Sequence, residues 1–101
     1  PFPDLYLEAL SRLNADAAAS VAIEDSANGI RAARSAGMRV IAYPNPLTRH
    51  LDLSEATRIH DEEPLMSFSE LRDWFHGLPD EPVEVVDVAF PLDGVPTRIV
   101  K

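Results

Sequence analysis

The spacing of apolar residues near the start of the chain predicts one helix followed by one strand. Apolar side chains recur at helical spacing at Tyr6, Leu7, Leu10 and Leu13. This pattern predicts a helix over residues 4–13 with one core-facing side and with Asp4 as its N-cap. The apolar run at residues 20–23 is short for a buried helix, so it predicts a buried strand.

The residues that follow predict a second helix and a second strand. Small and apolar residues share one side of residues 27–36, at Ala27, Ile30, Ala33 and Ala36. This predicts a helix that lies close to a sheet and ends at Gly37. The opposite side carries residues that can face water, at Arg31, Arg34 and Ser35. Residues 39–43 predict the next strand, and a strand, helix and strand in this order imply parallel neighbours joined by a crossover.

The Asn28-Gly29 pair is a strong hairpin signal when it separates two apolar runs. Here the sequence after it repeats with helical spacing and does not alternate. We therefore place Gly29 in the first turn of the second helix, where the lack of a side chain allows another group to approach the backbone closely.

The sequence after the second strand predicts one more helix. Pro44 and Pro46 end the strand, and residues 47–63 carry mixed signals with one short strand at 57–59. Ser67 and Glu70 form a capping box that begins a helix extending to about residue 76. The core-facing side of this helix is predicted at Phe68, Leu71, Trp74 and Phe75.

The last part of the chain differs in composition from the preceding helix and predicts a β-hairpin. Residues 83–90 are rich in valine, Asp93-Gly94 is a turn signal, and residues 97–100 can return as a second strand. We divide the chain into residues 1–78 and a hairpin extension at residues 79–101. The predicted fold class is α/β, with a short parallel sheet and a carboxyl-terminal β-hairpin.

Composition and charge exclude several classes of function. With 101 residues the chain has the length of one domain, and its formal net charge of -8 opposes the binding of nucleic acid. No apolar run approaches the roughly 20 residues that cross a bilayer. The absence of cysteine excludes disulfides and thiolate chemistry and fits a cytoplasmic protein. Because the chain begins at Pro1 with no Met or signal segment, we expect it to be the carboxyl-terminal part of a longer protein.

The candidate chemistry lies in the acidic pair Glu24 and Asp25, which follows the first predicted strand directly. Ligands of open α/β sheets bind beyond the carboxyl ends of the strands, and carboxylates there can hold a hard cation next to a phosphate. The alternative is that the two acids form a solvated strand end or a helix cap.

Three segments resemble the haloacid dehalogenase superfamily, in particular its β-phosphoglucomutase and phosphoglycolate phosphatase branch. They are residues 1–10, which begin Pro-Phe-Pro-Asp, residues 23–33, which contain Glu-Asp-Ser-Ala-Asn-Gly, and Ala36-Gly37-Met38. The resemblance is strong over residues 1–46, looser to residue 76 and absent from the predicted hairpin. It implies a Rossmann-like three-layer fold, of which this chain would hold the carboxyl-terminal half of the core domain.

The resemblance also implies roles for the acidic pair. Glu24 and Asp25 match the last acidic motif of the family, so Asp25 would coordinate Mg2+ directly and Glu24 would assist directly or through water. Ser26 and Asn28 would support the site loop. The family's Asp-x-Asp nucleophile motif, its lysine and its cap domain are not among these residues, so no catalytic residue is assigned and the isolated chain is expected to be inactive. The parent would be a Mg2+-dependent phosphatase or phosphomutase that acts on a small phosphorylated metabolite through an aspartyl-phosphate.

Several other features are assigned no catalytic role. Phe90-Pro91-Leu92-Asp93-Gly94 resembles the family's nucleophile motif, but Pro91 stands at the nucleophile position, and Asp-Gly favours a plain turn. His50, His60 and His76 lack ligand spacing, Asp61-Glu62-Glu63 is typical of a solvated loop, and Arg49 and Arg58 do not form a phosphate clamp. The alternative function is a non-catalytic interaction module that self-associates through its hairpin.

Overall fold

The computed structural model describes residues 2–79 and the backbone of residues 85–87 and 98–100. In chain order the elements are α1 (Asp4–Leu13), a short 3-10 helix (Ala17–Ala19), β1 (Val21–Glu24), α2 (Ala27–Ser35), β2 (Arg39–Ala42), β3 (Arg58–Ile59), α3 (Phe68–His76), β4 (Val85–Asp87) and β5 (Arg98–Val100). No helix in this described part is long and apolar enough to cross a membrane. The predicted α/β fold class is confirmed.

The first three strands form one parallel sheet in the order β1-β2-β3. The register pairs Val21 with Arg39 at one end of β1 and Glu24 with Ala42 at the other. The backbone N–H of Tyr43 donates to the carbonyl oxygen of Glu24 at 2.7 Å, which extends the pairing by one residue. Because the strands are parallel, their carboxyl ends meet at the same edge of the sheet, which is where α/β proteins bind ligands.

The predicted parallel neighbours and the short strand near residue 58 are therefore both confirmed. β4 and β5 pair antiparallel in a separate two-stranded sheet, from Val85 opposite Val100 to Asp87 opposite Arg98. This pairing agrees with the predicted hairpin, while its predicted turn at Asp93-Gly94 and the segment around Pro91 lie outside the described residues. The division of the chain at residue 78 stays a prediction.

The core lies where α2 packs on β2. Its buried members are Leu10, Ala22, Ile30, Ala33, Ala36, Met38, Val40, Ala42 and Leu53. Ile30 is 1% exposed and Val40 is fully buried, and the alanines of α2 let the helix approach the sheet closely. All four residues of β2 are buried because this strand has a neighbour on both sides. The predicted apolar side of residues 27–36 is confirmed.

Three details differ from the sequence predictions. Asp4 is the first residue of α1, whereas the N-cap is Pro3, which makes no side-chain hydrogen bond. Leu13 and Phe68 were assigned to core-facing sides, yet each is 76% exposed. Helical spacing gives the direction of a side chain, but it does not show whether another element covers that direction. Arg34 is half-buried and donates to the carbonyl oxygen of Met38 at 3.1 Å.

α3 is attached to the sheet by cationic side chains and by its half-buried apolar residues. Its N-cap at Ser67 is confirmed, because the Ser67 hydroxyl accepts a hydrogen bond from the Glu70 N–H at 3.2 Å. The Glu70 carboxylate of the predicted capping box accepts from the Ser67 hydroxyl at 3.1 Å. The guanidinium of Arg39 lies 5.4 Å from the centre of the Phe75 ring and donates to the carbonyl oxygen of Pro79 at 2.5 Å. Arg58 lies 5.8 Å from the centre of the Trp74 ring.

Candidate active-site cleft

The acidic pair lies at the junction between β1 and α2. Glu24 is the last residue of β1, Asp25 follows it, and Ser26 is the N-cap of α2. The Ser26 hydroxyl accepts a hydrogen bond from the N–H of Gly29 at 3.1 Å. The short link between strand and helix is thereby held in one conformation. Asn28, the other residue expected to support this loop, is exposed in the first turn of α2.

Asp25 lines a cleft of about 380 Å³ at the edge of the sheet where the carboxyl ends of the strands meet. Its polar lining comes from the ends of the three strands, namely Asp25, Tyr43, Asn45, Arg49, Asp61, Glu62 and Glu63. The cleft forms because consecutive parallel strands all end at this edge and the chain turns away after each. Asp25 therefore lies where the sequence predicts a ligand site.

Asn45 connects the loop after β2 with the loop after β1. Its side-chain oxygen Oδ1 accepts hydrogen bonds from the N–H groups of Leu47 and Thr48, at 2.8 and 3.1 Å. Its amide nitrogen Nδ2 donates to Oδ2 of Asp25 at 3.1 Å. The two prolines of this segment predict only the end of the strand. A polar residue between two prolines, directly after a strand next to the acidic one, is the signal that could have identified it.

The cleft carries a net negative charge. Four carboxylates line it against the single guanidinium of Arg49, which lies 3.4 Å from Asp61. Asp61, Glu62 and Glu63 are exposed, as predicted for a solvated loop. A cation is attracted to such a surface, whereas a phosphate group is repelled unless a cation accompanies it.

The histidines do not contribute to a metal site in the described part of the chain. His50 and His76 are exposed, while His60 is buried, with its Nε2 atom 2.9 Å from the carbonyl oxygen of Pro64. No group of three or more His, Cys, Asp or Glu side chains among the described residues could hold a metal ion. Arg58 lies over the Trp74 ring.

Glu24 has surroundings different from those of Asp25. Its carboxylate accepts a hydrogen bond from the hydroxyl of Tyr6 on α1. It also lies directly over Gly29, where a Cβ atom would collide with it. This contact is the close approach that Gly29 was predicted to allow. Glu24 is thus held between α1 and α2 and is not among the residues that line the cleft.

The Tyr6 hydroxyl gives a prediction for high pH. Burial raises the pKa of Tyr6 above its ordinary value of 10.0, and the hydrogen bond to Glu24 raises it further. The fold therefore favours the protonated phenol, so this stabilisation is present below pH 10 and is lost as the pH rises toward the pKa of the folded state. We expect Tyr6→Phe to lower the free energy of unfolding by about 1 kcal/mol at pH 7. Urea denaturation of both proteins at pH 7 and above pH 10 should show this difference shrinking, and a constant difference would contradict the contact.

Much of the chain is similar in sequence to known proteins. Residues 1–43 match the family model of haloacid dehalogenase-like hydrolases. The chain is 45% identical over 71 residues to Protein CbbY of Cereibacter sphaeroides, covering 70% of this chain and 29% of that protein. It is 36% identical over 81 residues to the probable pseudouridine-5'-phosphatase of Drosophila melanogaster, covering 78% of this chain and 33% of that protein.

A solved structure agrees in fold as well as in sequence. A CbbY mutant from Rhodobacter sphaeroides, in complex with xylulose-(1,5)bisphosphate, superposes with a TM-score of 0.59 at 45% identity, over 61% of this chain and 28% of that one. The chain spans a third or less of the length of each of these relatives. The predicted family is confirmed by the sequence match and the structural match together: the chain belongs to the haloacid dehalogenase superfamily.

Proposed function

We propose that this chain forms the metal-binding edge of a phosphatase or phosphomutase site that acts on a small phosphorylated metabolite. The observation that carries the proposal is the position of Asp25, at the carboxyl end of β1 and in one cleft with Asn45 from the end of β2. The relatives support the substrate class, since one is a probable pseudouridine-5'-phosphatase and CbbY is solved in complex with a sugar bisphosphate.

The oxygen donors of the cleft fit Mg2+ in kind but are few in number. Mg2+ prefers carboxylate oxygen and water and is usually bound by one or two protein carboxylates together with substrate phosphate. Asp25 would hold it directly, and Glu24, whose carboxylate lies outside the lining of the cleft, would assist through water. Because no third acidic or histidine ligand joins them among the described residues, we expect a dissociation constant on the order of 1 mM or weaker. When bound, Mg2+ would neutralise part of the negative charge on a phosphate ester.

The residues of this chain would favour a phosphate group that binds together with a cation. The acidic lining of the cleft concentrates cations and disfavours a phosphate group that arrives without one. Ser26 holds the loop that carries Asp25, and Asn28 lies in the turn that follows. Reaction through an aspartyl-phosphate needs a further carboxylate in line with the phosphorus atom. We assign that nucleophile to no residue of this chain.

Replacing Asp25 by asparagine tests the proposed cation site. We expect Asp25→Asn to weaken binding of Tb3+, a luminescent substitute for Mg2+, by about tenfold, because one carboxylate of a small ligand set is lost. Tyr43 lies in the same cleft and can sensitise the Tb3+ emission. Asp73→Asn is the matched control, since Asp73 lies on α3 next to Arg72 and does not line the cleft. Equal affinities of the wild-type and Asp25→Asn proteins would contradict the proposal.

The same two proteins test whether this chain turns over substrate by itself. We expect the purified chain to hydrolyse p-nitrophenyl phosphate in the presence of Mg2+ no faster than Asp25→Asn does. Turnover that is clear in the wild-type chain and abolished by Asp25→Asn would show that the 101 residues hold a complete site, contrary to our proposal.

The open edge of β1 favours a second candidate function, an interaction module that associates with another copy of the chain. Among the strands of the described residues β1 has a neighbour on one side only, and Ile23 is 44% exposed on it. An apolar groove of about 360 Å³, lined in part by Leu13, Val21 and Ile23, lies next to this edge. Unpaired strand edges can pair with another chain. Light scattering on the chain with and without residues 80–101 tests the candidate, and a monomer at both lengths would contradict it.

A further inference from the structure

The chain after β2 forms a tight turn centred on Asn45. The N–H of Asn45 donates to the Thr48 hydroxyl at 3.0 Å. Its carbonyl oxygen accepts from the N–H groups of Thr48 and Arg49, both at 3.0 Å. The backbone of Asn45 is thus held on both sides, between the two prolines Pro44 and Pro46. The base of this side chain therefore has little freedom to move.

The side chain of Asn45 also has a single permitted orientation. Its Oδ1 atom accepts from two backbone N–H groups, those of Leu47 and Thr48. An amide oxygen has two lone pairs, and the amide nitrogen cannot accept a hydrogen bond, so a flip would lose both interactions. The NH2 group must therefore face away from the turn. It faces Asp25, with Nδ2 3.1 Å from Oδ2.

This contact restrains an aspartate that is otherwise exposed. Asp25 lies in a loop and would exchange between rotamers without a partner. The hydrogen bond occupies Oδ2, and within the described residues Oδ1 accepts none. One oxygen is thus anchored, and the other has no hydrogen-bond donor among the described residues, while Asp25 lines the cleft. This arrangement suits a ligand that binds a hard cation through one oxygen.

We infer that Asn45 is a positioning residue, which holds Asp25 in the rotamer that presents Oδ1 to a divalent cation in the cleft. The cation in this inference rests on the proposed function, whereas the contact between the two side chains can be tested without it. Asn45 lies 20 residues from Asp25 along the chain, and its role depends on the parallel pairing of β1 with β2. The inference concerns the binding of the cation and assigns no chemical step to Asn45.

The contact itself can be tested by NMR on the full chain without metal. We expect Asp25→Ala to move the side-chain NH2 resonances of Asn45 upfield, because their acceptor is lost. Asp61→Ala is the matched control, since it removes another carboxylate from the same cleft without touching Asn45. Resonances of Asn45 that respond equally to both variants, or to neither, would overturn the inference.

The consequence for the cation can be tested by Tb3+ luminescence. We expect Asn45→Ala to weaken Tb3+ binding roughly tenfold, in line with the loss of other residues that orient metal ligands. Asn45→Ser should do the same while retaining a hydroxyl acceptor for the turn, which keeps the test valid if the alanine variant folds poorly. Thr48→Ala removes a turn contact but leaves the Asn45 amide in place, so it should bind Tb3+ as the wild-type protein does.

A double-variant cycle separates this inference from the proposed function. If Asn45 acts through Asp25, Asn45→Ala should have no further effect on Tb3+ affinity in the Asp25→Ala background. The same loss in both backgrounds would overturn the inference and leave the proposed cation site intact. An affinity that does not depend on Asp25 at all would refute the cation site. The contact would then be judged by the NMR result alone.

Discussion

Ile30→Ala is expected to lower the free energy of unfolding by about 3 kcal/mol, the cost of removing a large side chain from a packed core. Ile30 is 1% exposed and is one of the largest fully buried side chains in the described part of the chain. It belongs to the buried cluster that joins α2 to β2, which also contains the smaller residues Ala33 and Val40. A domain of about 100 residues has a total stability of roughly 5–15 kcal/mol, so this loss is a large fraction of it.

Urea denaturation followed by circular dichroism measures this change. Leu47→Ala is the matched control, because Leu47 is apolar but 81% exposed, and its truncation should change the stability by less than about 0.5 kcal/mol. If Ile30→Ala cost no more than Leu47→Ala, the packing of α2 on β2 described above would be wrong.

Arg39→Met is expected to cost about 2 kcal/mol and to loosen α3. Arg39 is 9% exposed, donates to the carbonyl oxygen of Pro79 at 2.5 Å and lies over the Phe75 ring. Methionine retains much of the volume of the side chain but removes its charge and its hydrogen-bond donors. The expected loss combines a charge-assisted hydrogen bond with a partly desolvated cation-π contact. α3 has no fully buried residue, so it depends strongly on such contacts.

Trp74 on α3 reports this loosening directly, because it is the single tryptophan of the chain. Its half-buried ring should become more exposed in Arg39→Met, and its fluorescence emission should move to longer wavelength. Arg72→Met on the same helix is the control, since its side chain is 54% exposed and, within the part of the chain that the structure describes, forms one ion pair, with the adjacent Asp73 at 3.9 Å. An unchanged emission together with unchanged stability would show that Arg39 does not attach α3.

The central strand, helix and strand could be predicted from local patterns. The small-residue side of α2 and the N-cap of α3 follow from residues within a few positions of one another. The parallel pairing of β1 with β2 follows from the order strand, helix, strand along the chain. The place of Asp25 at the end of β1 follows from the same reasoning, because the end of a short apolar run is visible in the sequence. The family resemblance added the expected Mg2+ chemistry, which remains a proposal.

The partners of the acidic pair could not be predicted in this way. Tyr6 lies 18 residues from Glu24, and Asn45 lies 20 residues from Asp25. Each contact depends on where α1 and the loop after β2 lie relative to β1. Glu24 ends β1 and Asp25 lies in the loop that follows, and the packing of α1 and of the loop after β2 gives the two adjacent acids different surroundings. The local pattern alone presents the two acids as one pair.

The sequence by itself determined which segments become helix or strand, because hydrophobic period, capping residues and turn residues act over a few neighbouring positions. Tertiary structure alone decided that Glu24 is held by Tyr6, that Asp25 is held by Asn45, and that Leu13 and Phe68 remain exposed. The physical reason is that hydrogen bonds and burial act over a few ångströms. The distances between residues far apart in the chain depend on sheet register and helix packing, which no local pattern contains.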